Sequence, residues 1–240
     1  MANLQQNGKY AARSIWISLQ FLGVLWVVQT LQWLLHAEWG IFGIYPRQLF
    51  GLRGVILAPL IHDDFSHLLA NTPPLFVLSA MVLFFYRRVA VPAIVMIYLL
   101  TGLAVWTFAR PVFHIGASGV VYGLVAFLFW NGIFRRNIRA IALALIVVFY
   151  YGSMFMGILP GQEGVSWESH LLGGLAGIFT AFWFKNKSEK EETREPYSWE
   201  TEEQLPPGAF FDPDTFEKTK AERRREKENR DNDGWFTTHT

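Results

Sequence analysis

The stretch Gly116-Ala117-Ser118-Gly119-Val120-Val121-Tyr122-Gly123 places one hydroxyl among three glycines, at the head of an apolar run that continues through Phe129 and Trp130. Glycines around a serine let another helix, or a ligand, come close to its side chain. By itself the octamer favours a GxxxG-type packing seam through Gly119 and Gly123, with Ser118 bonding a carbonyl one turn back. The other chemistry open to it is nucleophilic attack, which needs a base within about 3 Å of the hydroxyl. His170 is the natural base. It opens a segment built the same way, His170-Leu-Leu-Gly173-Gly174-Leu-Ala-Gly177. Helical spacing of three and four puts His170, Gly173, Gly174 and Gly177 on one face, as it puts Tyr122 on the face of Ser118. Small residues on both helices permit the close approach that brings imidazole to hydroxyl, so the packing signal and the catalytic signal coincide. An ionisable residue inside a membrane is also a functional candidate in its own right.

Acyl transfer needs hydrogen-bond donors aimed at the oxyanion of its tetrahedral intermediate. His67 and Asn71 lie four residues apart and face the same way on a helix. Asn71 offers a side-chain amide, His67 an imidazole N–H, and Ser118 its own backbone N–H. The alternative for the pair is polar glue between helices. His62-Asp63-Asp64, with His67, raises a zinc reading, since imidazole and carboxylate suit that metal. Two adjacent aspartates cannot both face one ion from a regular element, however, and no H-E-x-x-H pattern is present. His62 is instead expected to order its loop by hydrogen bonding. His36, His114 and His239 read as interfacial or solvated, with His114, four residues before Ser118, also a candidate for the mouth of the site.

The elements that must position these groups are hydrophobic. The chain is 52% hydrophobic with 21 Phe and 10 Trp, which is too apolar for a soluble domain with a polar surface. Absent cysteine, nothing follows about disulfides. Six apolar runs, at 14–35, 67–85, 89–108, 115–134, 138–159 and 170–184, approach or exceed the length needed to cross the hydrocarbon core. No small-residue cleavage site follows the first run, so it reads as a span and not as a cleavable signal. Residues 36–66 mix aromatics with Gly and Pro and read as a loop partly sunk in the membrane interface. With the N-terminus inside, the inner segments hold Lys9, Arg13, Arg87, Arg88, Arg135, Arg136, Arg139 and Lys185, against Arg47, Arg53 and Arg110 outside. This excess supports both termini in the cytoplasm and puts Ser118, His67 and His170 toward the outer ends of their helices. The expected organisation is a cytoplasmic N-terminus (1–13), polar and frayed over 1–10, a six-helix membrane domain (14–185) and a charged cytoplasmic tail (186–240). The first 185 residues carry a net charge of +6 and the rest −5. The tail lacks apolar periodicity and reads as disordered, with a short charged helix from Asp212-Pro213 through Arg230 as the alternative.

Taken in order, the motifs resemble the rhomboid family of intramembrane serine proteases. His62-x4-His67-x3-Asn71 resembles the opening of that family's second helix. Gly116-Ala117-Ser118-Gly119 is similar to its GxSG nucleophile motif, followed by its usual tyrosine at Tyr122, and His170-x2-Gly173-x3-Gly177 is similar to its last helix. The resemblance covers about residues 12–185 and includes the helix count. It implies an all-α, polytopic bundle and a Ser118–His170 dyad without a catalytic carboxylate. It further implies an oxyanion hole from His67, Asn71 and the Ser118 amide, with Tyr122 packed on the imidazole and Gly116, Gly119, Gly173 and Gly177 in support. The family's first loop often carries a Trp-Arg pair, where this chain has Leu52-Arg53, so Arg53 matches only in part. The implied activity is cleavage of single-span membrane proteins near the outer leaflet of a bacterial inner membrane. Its partners are transmembrane substrates and the bilayer, with no metal, organic cofactor or nucleic acid. Two rivals are a zinc-dependent membrane hydrolase and a non-catalytic relative that binds membrane proteins. Relatives of the second kind typically lack the serine or the histidine, and both are present here. Deleting residues 190–240 is expected to keep catalysis in detergent within about tenfold of the full chain, as for a solvated terminus. A larger loss in a folded protein would give the tail a part in catalysis.

Overall fold

In hydrocarbon every backbone N–H and C=O needs a partner from its own segment, so apolar runs of this length fold as helices. The computed structural model describes residues 2–136, 138–161, 166–187 and 217–233. They form α1 (Ala2–Leu34), α2 (Gly54–Leu57), α3 (Phe65–Phe85), α4 (Ala90–Phe108), α5 (Ser118–Arg135), α6 (Ile138–Tyr151), α7 (Trp167–Phe184) and α8 (Lys220–Asp233), with no strand among the described residues. The chain divides into two units, Met1–Lys190 and Glu191–Thr240. The first unit is an all-α, multi-pass membrane bundle. Five of its helical stretches, Gln5–Leu34, Phe65–Phe85, Ala90–Phe108, Ser118–Arg135 and Ile138–Ile158, are long and apolar enough to span. The sixth, α7, has 18 residues, but its first turn carries Glu168, Ser169 and His170 and it contains three glycines. That polarity lies where α7 meets other helices, so it need not face lipid.

At the centre of the bundle is α5. Its apolar window is 56% buried, against 17% to 39% for the other four spans. Leu124, Phe127 and Leu128 of α5 pack with Leu68, Leu75, Leu78 and Val82 of α3 and Ile97 of α4 in one core. Against α7 the contact is backbone to backbone. A Cβ on Gly173 would stand 2.0 Å from the Gly119 carbonyl oxygen, and one on Gly177 would stand 2.1 Å from that of Gly123. Gly174 corrects the single-face expectation. A Cβ there meets nothing within 4 Å, because at 100° per residue it points away from its neighbour Gly173.

Three boundaries differ from the sequence expectation. Helix α1 starts at Ala2 and not after a frayed segment. No proline interrupts residues 2–13, and the extension is held by Arg87, whose Nη2 donates to Asn7 Oδ1 at 3.1 Å and whose guanidinium lies 4.0 Å over the Tyr10 ring. Helix α5 begins at Ser118 and not at Ile115, because Gly116 has φ +97°. Helix α6 gives way after Tyr151 to a 3₁₀ segment, Gly152–Ile158.

Short turns fill the first loop: Trp39–Phe42, Leu49–Arg53, α2 and Ala58–Leu60. Arg53 anchors it, donating to Ile41 O at 2.9 Å with its guanidinium 4.9 Å over Phe42. On the α4 side Trp106 Nε1 donates to Gln48 O at 2.9 Å, Tyr98 OH donates to Ile56 O, and Val55 packs where Gly102 has no side chain. Leu49 remains 82% exposed, as an interfacial loop allows. Of the tail, only 186–187 and 217–233 are described. There α8 starts at Lys220, later than Pro213, where Thr219 and Glu222 form a cap. Thr219 N–H donates to Glu222 Oε2 at 2.7 Å, and this bond and that from the Thr219 hydroxyl hold the carboxyl below its usual range.

The seam predicts a contrast between neighbours. Gly174→Ala is expected to leave thermal unfolding in detergent unchanged or stabilise by about 0.5–1 kcal/mol. Gly173→Ala is expected to cost about 1–3 kcal/mol or more, because the helices must part. Equal unfolding temperatures for the two variants would contradict the backbone seam.

Candidate active site

The site is built from the glycine turn before α5. A Cβ on Gly116 would stand 2.9 Å from His67 Cε1 and 3.0 Å from Nε2, so the residue needs both its left-handed φ and its bare Cα. Gly116 N–H donates to Ala58 O at 2.9 Å, and Ala117 N–H donates to His62 Nε2 at 3.3 Å. These bonds hold the chain as it turns into α5 and make Ser118 the first helical residue. Ser118 does not bond a carbonyl one turn back. Its Oγ lies 2.9 Å from Nε2 of His170.

His170 is the fourth residue of α7, whose N-cap Ser166 accepts from Ser169 N–H at 3.4 Å. Its Nδ1 lies 2.8 Å from the carbonyl oxygen of Gly157. A carbonyl only accepts, so Nδ1 carries the proton and Nε2 presents its lone pair to the Ser118 hydroxyl. The Tyr122 ring stacks on the imidazole at 4.1 Å and 10°, and its hydroxyl donates to Met154 O at 2.6 Å. A carbonyl acceptor at Nδ1, a hydroxyl donor at Nε2 and a ring on its face leave the imidazole little freedom.

His67 and Asn71 stand at the start of α3, where His67 N–H donates to the cap Asp64 Oδ1 at 2.7 Å. Asn71 Nδ2 donates to His67 O at 3.0 Å, which uses one of its two amide hydrogens. A cavity of about 620 Å³ is lined by Ser118, His170, His67, Asn71, Tyr122 and His114, among others. Ser118 N–H opens α5, so it has no acceptor within its own helix. The expected site residues are thus brought to one place, with Gly116, Gly119, Gly173 and Gly177 at the close approaches around it.

His62 is 0% exposed and its ring stands edge-on to His67 at 5.1 Å. Burial pushes its pKa down to about 4, with His67 adding to the effect. Its Nε2 takes the Ala117 N–H and Asp64 caps α3, so these groups serve the loop. Among the described residues no three His, Cys, Asp or Glu side chains are grouped to hold a metal ion. His114 is 2% exposed. Its Nε2–H donates to Arg110 O at 3.0 Å and its Nδ1 accepts from the Ser166 hydroxyl at 2.6 Å, with burial lowering its pKa. Beside it Arg110 pairs with Glu168 at 3.0 Å. These contacts latch the loop before α5 to the first turn of α7. His36 is exposed at the end of α1, and His239 lies outside the described residues.

Sequence reasoning missed Arg110, Ser166, Glu168, Met154 and Gly157. An acidic residue at the head of an apolar segment marked Glu168, and Ser166 three residues before Ser169 marked a cap. Met154 and Gly157 act through backbone oxygens and left no such mark.

The Rhomboid domain family model matches residues 49–187, more than half of the chain and all of the residues just described around Ser118 and His170. An uncharacterised protein of Mycobacterium tuberculosis is 39% identical over 173 residues, covering 68% of this chain and 72% of its own. One of Mycobacterium bovis matches to the same extent. An uncharacterised protein of Mycobacterium leprae is 32% identical over 173 residues, covering 68% of each.

The depressed His62 pKa makes stability depend on pH. The folded state keeps this imidazole neutral down to about pH 4, while the unfolded chain protonates it near 6.5. Its contribution is therefore complete above pH 6.5 and is lost as pH falls toward 4, by about 2 kcal/mol between pH 7 and 5. Thermal unfolding in detergent at these two pH values should show a drop that is smaller in His62→Gln, whose side-chain oxygen still accepts from Ala117. An equal drop in both proteins would remove His62 as its source.

Proposed function

We propose that this chain, which belongs to the rhomboid family of intramembrane proteases, is a serine endopeptidase with Ser118 as nucleophile and His170 as general base and acid. The observation that carries this reading is the 2.9 Å contact of Ser118 Oγ with an imidazole nitrogen whose lone pair is free to accept. In the first step Oγ attacks the scissile carbonyl carbon and His170 Nε2 takes the hydroxyl proton. The carbon–nitrogen bond then breaks as His170 returns that proton to the leaving amine. Water, deprotonated by the same nitrogen, then attacks the acyl carbon, and His170 returns that proton to Ser118 Oγ as the ester bond breaks, freeing the acid product.

The developing oxyanion would face Ser118 N–H at the positive end of α5, the second amide hydrogen of Asn71 and the imidazole of His67. The two side chains line the cavity with Ser118. The substrate would be a single-span membrane protein whose helix unwinds beside the bundle. The excess of Lys and Arg on the segments assigned to the inside favours a plasma-membrane protein with both termini cytoplasmic and the site toward the outer leaflet. Residues 14–185 would then be the catalytic unit, flanked by a short N-terminal segment and the charged tail.

Purified protein in detergent should be labelled by a fluorophosphonate probe, and Ser118→Ala and His170→Ala should lose labelling by about 100-fold or more. The same variants should fail to cleave a single-span substrate in proteoliposomes. Wild-type labelling that survives in Ser118→Ala would move the nucleophile elsewhere. Folded wild type that neither labels nor cleaves a panel of such substrates would overturn the protease reading.

A further inference from the structure

The dyad contains no carboxylate to orient its base, yet His170 is held on both ring nitrogens. We propose that the backbone carbonyl of Gly157 is the third member of the array, a positioning group that fixes the tautomer of His170, and that Gly157 is glycine to let that carbonyl reach it. This rests on the reading of Ser118 and His170 as a catalytic pair.

Four groups meet at the 3₁₀ segment Gly152–Ile158. Gly157 O accepts from His170 Nδ1–H at 2.8 Å, and Met154 O accepts from Tyr122 O–H at 2.6 Å. Residues three apart eclipse on a 3₁₀ helix, so one turn offers both oxygens on one side. The two rings that receive them are themselves stacked at 4.1 Å. A Cβ on Gly157 would stand 2.1 Å from Tyr122 Oη, 3.3 Å from its Cζ and 3.2 Å from His170 Nδ1. Among the described residues the positive-φ glycines are Gly116 and Gly161 and do not include Gly157. Its backbone suits any residue, and only the space beside the two rings requires glycine.

The chemistry follows from the proton count. The mobile proton passes from Ser118 Oγ to His170 Nε2 and on to the leaving amine. The Nδ1 proton stays bonded to Gly157 O throughout and never transfers. With that carbonyl displaced, the ring can rotate or carry its proton on Nε2, where it cannot accept from the hydroxyl. A neutral oxygen also stabilises the imidazolium less than a carboxylate would, so it orients the base more than it strengthens it.

Tyr122 provides the discriminating background. Tyr122→Phe removes the oxygen that a Cβ at Gly157 would strike. Measured on the full-length protein, Gly157→Ala should slow fluorophosphonate labelling and kcat for a single-span substrate on the order of 100-fold, with KM little changed, as when a base is held in the wrong tautomer. Tyr122→Phe should cost only a few-fold, about the worth of one hydrogen bond. The double variant should recover to within about fivefold of Tyr122→Phe, since the 2.1 Å clash is gone and the contacts left at 3.2 and 3.3 Å need only a small shift of the rings. Gly152→Ala, in the same segment with Val148 3.9 Å from its Cβ, should match wild type. Histidine-selective 15N NMR should assign Nδ1–H to His170 in wild type and a mixture in Gly157→Ala. Wild-type rates in Gly157→Ala, a double variant as slow as Gly157→Ala, or Nε2–H in wild type would each overturn the proposal. Wild type inactive in every assay would instead remove the protease reading, while the NMR result still decides whether Gly157 sets the tautomer.

Discussion

The contact on which the arrangement depends is the meeting of α5 and α7 along two glycine pairs, Gly119 with Gly173 and Gly123 with Gly177. Lipid supplies no hydrophobic force between apolar helices, so their association rests on dispersion and on weak Cα–H···O contacts, both of which need backbones to touch. A Cβ on Gly173 or Gly177 would stand 2.0 or 2.1 Å from a facing carbonyl oxygen, while one on Gly119 or Gly123 would stand 3.0 or 3.1 Å from such an oxygen and press on Thr101 or Ile97 of α4 at 2.9 or 2.3 Å. Ser118 directly precedes one seam glycine and His170 stands three residues before another. The distance between hydroxyl and imidazole is therefore set by the backbone and not by the reach of flexible side chains.

Around this seam the polar groups collect at one end of the bundle. Three helices, α3, α5 and α7, begin there, and each brings unpaired N–H groups that need acceptors. Asp64 caps α3 and Ser166 caps α7, while the turn at Gly116 is held by Ala58 O and the loop at Ala117 by His62. The bonds from His114 and the Arg110–Glu168 pair join the loop before α5 to α7. Arg110 is 52% exposed on its side chain but Glu168 only 8%, so loss of the arginine would strand a buried carboxylate. Loss of one of the buried imidazole bonds would likewise leave polar atoms without water.

Much of this was legible in the residues. Runs of apolar side chains give six helices wherever a bilayer is the solvent, and the types and spacing at Ser118, His170, His67, Asn71 and Tyr122 singled out groups that one cavity now brings together. What was not legible has three physical causes. The start of α5 turned on the left-handed φ of Gly116, which a composition-based span from Ile115 cannot see. The direction of Gly174 depended on which of two adjacent glycines faced α5, and helical spacing alone left both in a broad arc. The contacts of Met154 and Gly157 come from backbone oxygens, which every residue possesses, so residue type carries no signal for them.

A seam without side chains also has no rotamers, and this makes its register discrete. Leucine ridges can slide by repacking, with a continuum of slightly worse arrangements. Paired glycines spaced four apart offer a next matching position only after a shift of about 6 Å along the axis, at 1.5 Å per residue. Intermediate shifts drive carbonyls into neighbouring Cβ atoms. Ser118 and His170 thus stand either at bonding distance or a full step apart, and disturbance of this interface is expressed as a change in the fraction of assembled molecules and not as a gradual lengthening of the bond between them.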